Sequence, residues 1–178
     1  MNEVWKVREA EYFLARLRVA EAARDDDVVA FELSAFLSAA RSALLYSLEE
    51  ARLRNRTQWY ETAISGRKPL QFLAAERNTN THWQPVSPIR TESVPPAPGD
   101  EALGSTVAYY FLEWDGTETA VELCEQFLSG VREVLASGQQ EGILTQLEAT
   151  FLSPVQLQVK RARAQQVQAE SQRRITTR

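Results

Sequence analysis

The chain has 178 residues, of which 44% are hydrophobic and 25% charged, the balance of one ordinary globular domain with a core of its own. Its formal net charge of -4 offers no overall attraction to nucleic acid, so any such contact has to come from a local patch. A single cysteine and a single histidine exclude an internal disulfide and a Cys/His zinc site built within one chain, and no metal or cofactor is expected.

The N-terminal residues Met1-Asn2-Glu3-Val4-Trp5-Lys6 lack the charged start, apolar run and small-residue cleavage site of a secretory signal. From Glu3 to Arg24, apolar residues recur at three- and four-residue spacing (Val7, Ala10, Phe13 or Leu14, Leu17, Ala20), which predicts an amphipathic helix. Asp25-Asp26-Asp27 follows and reads as the stop of that helix and the N-cap of the next, not as a metal-binding cluster. The second helix is expected over Val28 to Arg54, with Phe31, Phe36, Leu37, Ala40, Leu44 and Leu48 on its buried side and no Gly or Pro within it. Two long helices joined by a few aspartates make an antiparallel pair. No apolar stretch is expected to cross a bilayer, so the reading is a cytoplasmic protein without membrane contact.

A short third helix is predicted from Trp59 to Ser65, capped by Thr57 and stopped by Gly66. Pro69 opens a fourth through Leu70, Phe72, Leu73 and Ala75, and Pro85 and Pro88 must end it. Gln84 to Gly104 is a Pro-rich loop. The run Ser105 to Trp114 is aromatic and β-branched, reads as a strand closed by Asp115-Gly116, and requires a partner near Val86 to Val94 to satisfy its backbone. The aromatics Tyr109, Tyr110, Phe111 and Trp114 fit alternate burial of a strand packed on helices, although they also suit stacking on bases. A fifth helix follows from Glu118 to about Ser137, with Val121, Cys124, Phe127, Leu128, Val131 and Leu135 as its apolar stripe, so Cys124 reads as core. A sixth is expected over Glu141 to Leu152. Beyond Pro154, six basic residues (Lys160, Arg161, Arg163, Arg173, Arg174, Arg178) face the single acid Glu170, which reads as a solvated helix or tail or as an RNA-binding arm. The fold expected is mainly α: an antiparallel helical bundle over residues 1–153 with a small β-hairpin at about 86–114, then a basic, Gln-rich helix or tail over 154–178.

One stretch carries a chemically useful set of groups, Glu76-Arg77-Asn78-Thr79-Asn80-Thr81-His82. Cleavage of RNA needs a base for the 2′-hydroxyl, an acid for the departing 5′-oxygen and a cation for charge growing on phosphorus. Histidine serves as base or acid near neutral pH, and arginine is a bidentate phosphate clamp that keeps its proton. Five residues along a straight helix turn by about 500°, which leaves Arg77 and His82 roughly 140° apart. The weak helix propensity of Asn78 to Thr81 suggests a break that brings them together, combined with a matching pair across a dimer interface. Read from the residues alone, a lone histidine is more often a structural or surface group than a catalyst, and Arg77 and His82 fit ordinary polar roles in a helical oligomer, with Arg77 in an internal ion pair.

Arginine, then four to six residues of which the first is polar, then histidine (four intervene here), carried on the helix after a long antiparallel pair that includes Phe36-Leu37-Ser38-Ala39-Ala40-Arg41-Ser42-Ala43-Leu44, resembles the HEPN superfamily. The resemblance spans Glu3 to Trp83 and extends less fully to the helix through Cys124. It implies a metal-independent endoribonuclease, a toxin or defence protein, active as a homodimer on RNA. In that reading His82 is the general base or acid, Arg77 the phosphate clamp, and Asn78, Asn80 and Arg41 bind substrate, although Arg41 also has Glu76 or Glu49 as possible ion-pair partners. Members of the superfamily also serve as non-catalytic partners of nucleotidyltransferases, so a nucleotide- or protein-binding module and a plain helical scaffold stay open beside the enzyme.

Overall fold

A computed structural model describes the backbone of residues 3–82, 88–93 and 106–145, and the side chains of all of these except 77–82, 93 and 106. The chain is mainly helical, and the described residues form five α-helices and one two-stranded antiparallel sheet in the order α1 (Glu3–Ala23), α2 (Asp26–Leu53), α3 (Thr57–Ile64), α4 (Lys68–His82), β1 (Ile89–Ser93), β2 (Thr106–Tyr110) and α5 (Ala120–Gln140). Residues 1–147 form one compact unit, and the basic tail lies outside the described residues.

The aspartate run acts as a cap. Asp25 accepts the Val28 amide at 3.1 Å, while Asp26 and Asp27 put negative charge at the start of α2. Ahead of it, Arg24 ends α1 in the left-handed region (φ 58°), and the Asp25 amide reaches back to the Ala20 carbonyl. The resulting α1–α2 pair carries the largest helix contact among the described elements, and Ala10, Leu14, Leu17 and Ala20 of α1 are buried in one core with Val29, Leu33, Phe36, Ala40 and Leu44 of α2. α4 and α5 close the bundle: Leu70 and Leu73 enter the core, and Phe36 meets Phe127 edge-on with centroids 6.2 Å apart. α5 opens with a reciprocal capping box between Thr119 and Glu122.

Several expectations are corrected. Phe31 is 70% exposed instead of buried, because the core side of α2 runs through Val29, Leu33, Phe36 and Leu37 and leaves position 31 on the outer side. Thr57 is the first residue of α3 and makes no side-chain cap; the cap position is Arg56. The second strand is shorter than Ser105 to Trp114, since its partner ends at Ile89, opposite Tyr110, and leaves Phe111 onward unpaired. No helix begins at Glu141: Gly142 is left-handed (φ 67°) and the Ile143 and Leu144 amides fold back onto the Gly138 carbonyl, closing α5 with a turn; the rest of that expected helix lies outside the described residues. α2 also contains an 18-residue window of mean hydropathy 1.5, long and apolar enough to cross a membrane by composition, with half of that window buried within the protein.

Tyr109 and Phe111 point into the protein as the alternation required, and Cys124 is fully buried, where desolvation pushes its thiol well above the ordinary range. The sheet sits over the α1–α2 turn. The Tyr109 hydroxyl donates to Asp26 at 2.5 Å, Arg90 pairs with Asp26 and Glu92, and Arg24 pairs with Glu92.

Candidate functional site

α4 runs without interruption from Lys68 through His82, so the expected break between Arg77 and His82 does not occur. The packing of its first two turns, with Leu70 against Gly130 and Phe72 against Phe111 and Trp114, holds it in helical geometry. A continuous helix keeps Arg77 and His82 about 140° apart around the axis. Their side chains, with those of Asn78 and Asn80, lie outside the described residues.

The direction of α4 follows from its contacts. Arg67, just before α4, pairs with Glu133 in the second half of α5, and Leu70 lies against Gly130 in its middle, so α4 steps back along α5 as its numbering rises. α4 therefore runs antiparallel to α5, and the motif occupies the bundle end that also holds the α1–α2 turn and the sheet. α2 runs the same way as α5: Phe36 meets Phe127, and Arg54 near its end donates to the Gly142 carbonyl at 2.7 Å. Arg41 lies beyond Phe36 along α2 and is therefore displaced toward the opposite end.

Arg41 binds neither Glu49 nor Glu76. Glu49 pairs with Arg52, and the Arg41 guanidinium reaches the Tyr60 hydroxyl of α3 at 3.4 Å, with its Nε buried and unpartnered. Burial pushes the Tyr60 phenol up, and Arg41 opposes that shift. Arg41 thus belongs to the α2–α3 junction and drops out of the motif's surroundings.

Next to Arg77 in the chain, Glu76 has a second carboxylate near it, Glu113, which the linear motif does not contain. Glu76 is half-buried, and desolvation together with the charge of Glu113 raises its carboxyl above the usual range. Glu113 follows β2 in a segment that the sequence assigned to the strand, so its approach to α4 had no local signal. The described cations of this end, Arg24 and Arg90, both stand in ion pairs with carboxylates.

No known protein family, curated protein or solved structure matches this chain. The site therefore rests on its own residues. A cavity of about 430 Å³ lies at the other end of α4, lined by Arg67, Lys68, Gln126, Ser129 and Glu133, but there Arg67 is paired with Glu133 and Lys68 with Asp115. Among the described residues no three His, Cys, Asp or Glu side chains are grouped to hold a metal.

Proposed function

We propose that this chain is a metal-independent endoribonuclease of the HEPN type, a toxin or defence protein that cleaves RNA as a homodimer. The observation that carries the reading is the placement of Arg77, Asn78 and His82 on the last turns of α4, at one end of a bundle built on a long antiparallel helix pair. The 140° separation favours a composite site, in which His82 of one copy moves the proton and Arg77 of the other holds the phosphate. Asn78 and Asn80 orient the substrate between them.

The test is incubation of the purified full chain with RNA in EDTA, comparing wild type with His82→Ala and Arg77→Ala. The expected result is products ending in 2′,3′-cyclic phosphate, with each substitution slowing cleavage by about 10²–10⁴-fold. Wild type and His82→Ala cutting at the same rate, or neither cutting, overturns the reading.

A second reading is favoured by the Glu76–Glu113 carboxylates, which repel phosphate beside Arg77. In it the chain is a non-catalytic nucleotide- or protein-binding partner of a nucleotidyltransferase. It expects a stable complex with the product of a neighbouring gene and no RNA cleavage; recovery of the free chain alone on co-expression counts against it.

A further inference from the structure

Glu3, the first residue of α1, is only 4% exposed, and its Oε1 is walled off with no hydrogen-bond partner. What it faces is a second carboxyl group, Glu50 near the end of α2, to which it is hydrogen-bonded. The two are not equivalent. Glu50 accepts from Arg54 Nη2 at 2.9 Å, from the Thr145 amide at 2.9 Å and from the Thr145 hydroxyl, a coordination suited to an ionised carboxylate. Glu3 has no comparable donor. An ionised carboxylate with a buried, unpartnered oxygen is costly, and two carboxylates form a hydrogen bond only with a proton between them.

We propose that Glu3 and Glu50 share one proton in the folded chain, and that its loss to solvent releases the first turn of α1 from the end of α2. Glu50 is anchored by three donors, so the resulting repulsion displaces Glu3. That turn gives way readily because the first amides of a helix have no carbonyl partners within it. The charged groups facing the pair are few. Among the described residues, α2 supplies Glu50 and, through it, Arg54, and the segment after α5 supplies the uncharged amide and hydroxyl of Thr145. In support, burial pushes the Glu3 carboxyl above the ordinary range. Its backbone hydrogen bond and the amino terminus oppose this, and the charge and hydrogen bond of Glu50 reinforce it.

The sign follows from linkage. With the folded-state affinity for the proton raised, the stabilisation is complete below the ordinary value of 4.5 and is lost as pH rises through the raised value. Hydrogen exchange of the full chain across this range reads the release directly. Protection of residues 3–10, corrected for intrinsic exchange, is expected to fall about tenfold in wild type. It should stay flat in Glu3→Gln, whose amide does not titrate, while peptides from α5 are unchanged in both. Superimposable wild-type and Glu3→Gln profiles overturn the proposal. Carbon-13 titration of the wild-type Glu3 carboxyl decides it without a variant: a midpoint above 4.5 supports it, and one at or below 4.5 overturns it.

Discussion

Replacing Gly138 by alanine sets two effects of known size against each other. Alanine is favoured over glycine inside a helix by about 1 kcal/mol. Against this, a Cβ at position 138 would lie 2.5 and 2.6 Å from Leu144 Cγ and Cδ1 and 2.7 Å from Trp59 Cη2. Neither neighbour has room to retreat. Leu144 is 3% exposed, and its amide is tied to the Gly138 carbonyl at 2.8 Å, while Trp59 Nε1 donates to Glu141 at 3.1 Å. Overpacking of this kind costs about 1–3 kcal/mol, toward the upper end when rigid groups must move. The net expectation for Gly138→Ala is a loss of about 1–2 kcal/mol, or roughly 2–8 °C in Tm for a unit of this size. Gly130→Ala is the control: the atoms nearest its Cβ all belong to Leu70, at 3.0 to 3.2 Å, so the propensity gain offsets the contact and stability stays within about 0.5 kcal/mol. Urea unfolding followed by circular dichroism, with the slope m checked for constancy, measures both. A Gly138→Ala protein as stable as wild type would refute the reasoning, because the turn after α5 would then not press on the helix.

Two further outcomes test the packing and the electrostatics. Phe36→Ala, which empties a site with no exposed surface, should cost about 3–5 kcal/mol, whereas Phe31→Ala five residues earlier should change stability by less than about 0.5 kcal/mol; equal losses would put Phe31 in the core after all. Burial and the hydrogen bond to Asp26 push the Tyr109 phenol up to about 12, so its contribution to stability is present below pH 10 and lost as pH rises toward 12. Asp26→Asn should move that ionisation down, read as tyrosinate absorbance, and an unmoved titration would remove Asp26 as a cause.

Legibility followed the range of the interactions. The stripe of α1, the Asp25 cap and the stripe of α5 are periodic or local signals, and each is where the residues put it. The strand pair was inferred from a need, since an isolated strand leaves its backbone groups unsatisfied, and β1 falls inside the expected Val86 to Val94. Phe31 failed because a helix as apolar as α2 has more hydrophobic positions than its neighbours can cover, and composition does not say which are left outside.

The candidate site divides the same way. The linear motif, its residue types and its place on the helix opened by Pro69 are properties of the sequence. Whether α4 breaks before His82, which end of the bundle it reaches, and that Arg41 turns to Tyr60 instead of the motif depend on contacts between residues far apart in the chain. So do the approach of Glu113 to Glu76 and the seating of Glu3 on Glu50. Helix period and the Asp25 cap are decided within a few residues, so the sequence alone determined them. Burial and charge environment are decided by which helices pack together and in which direction, and only the tertiary structure decided those.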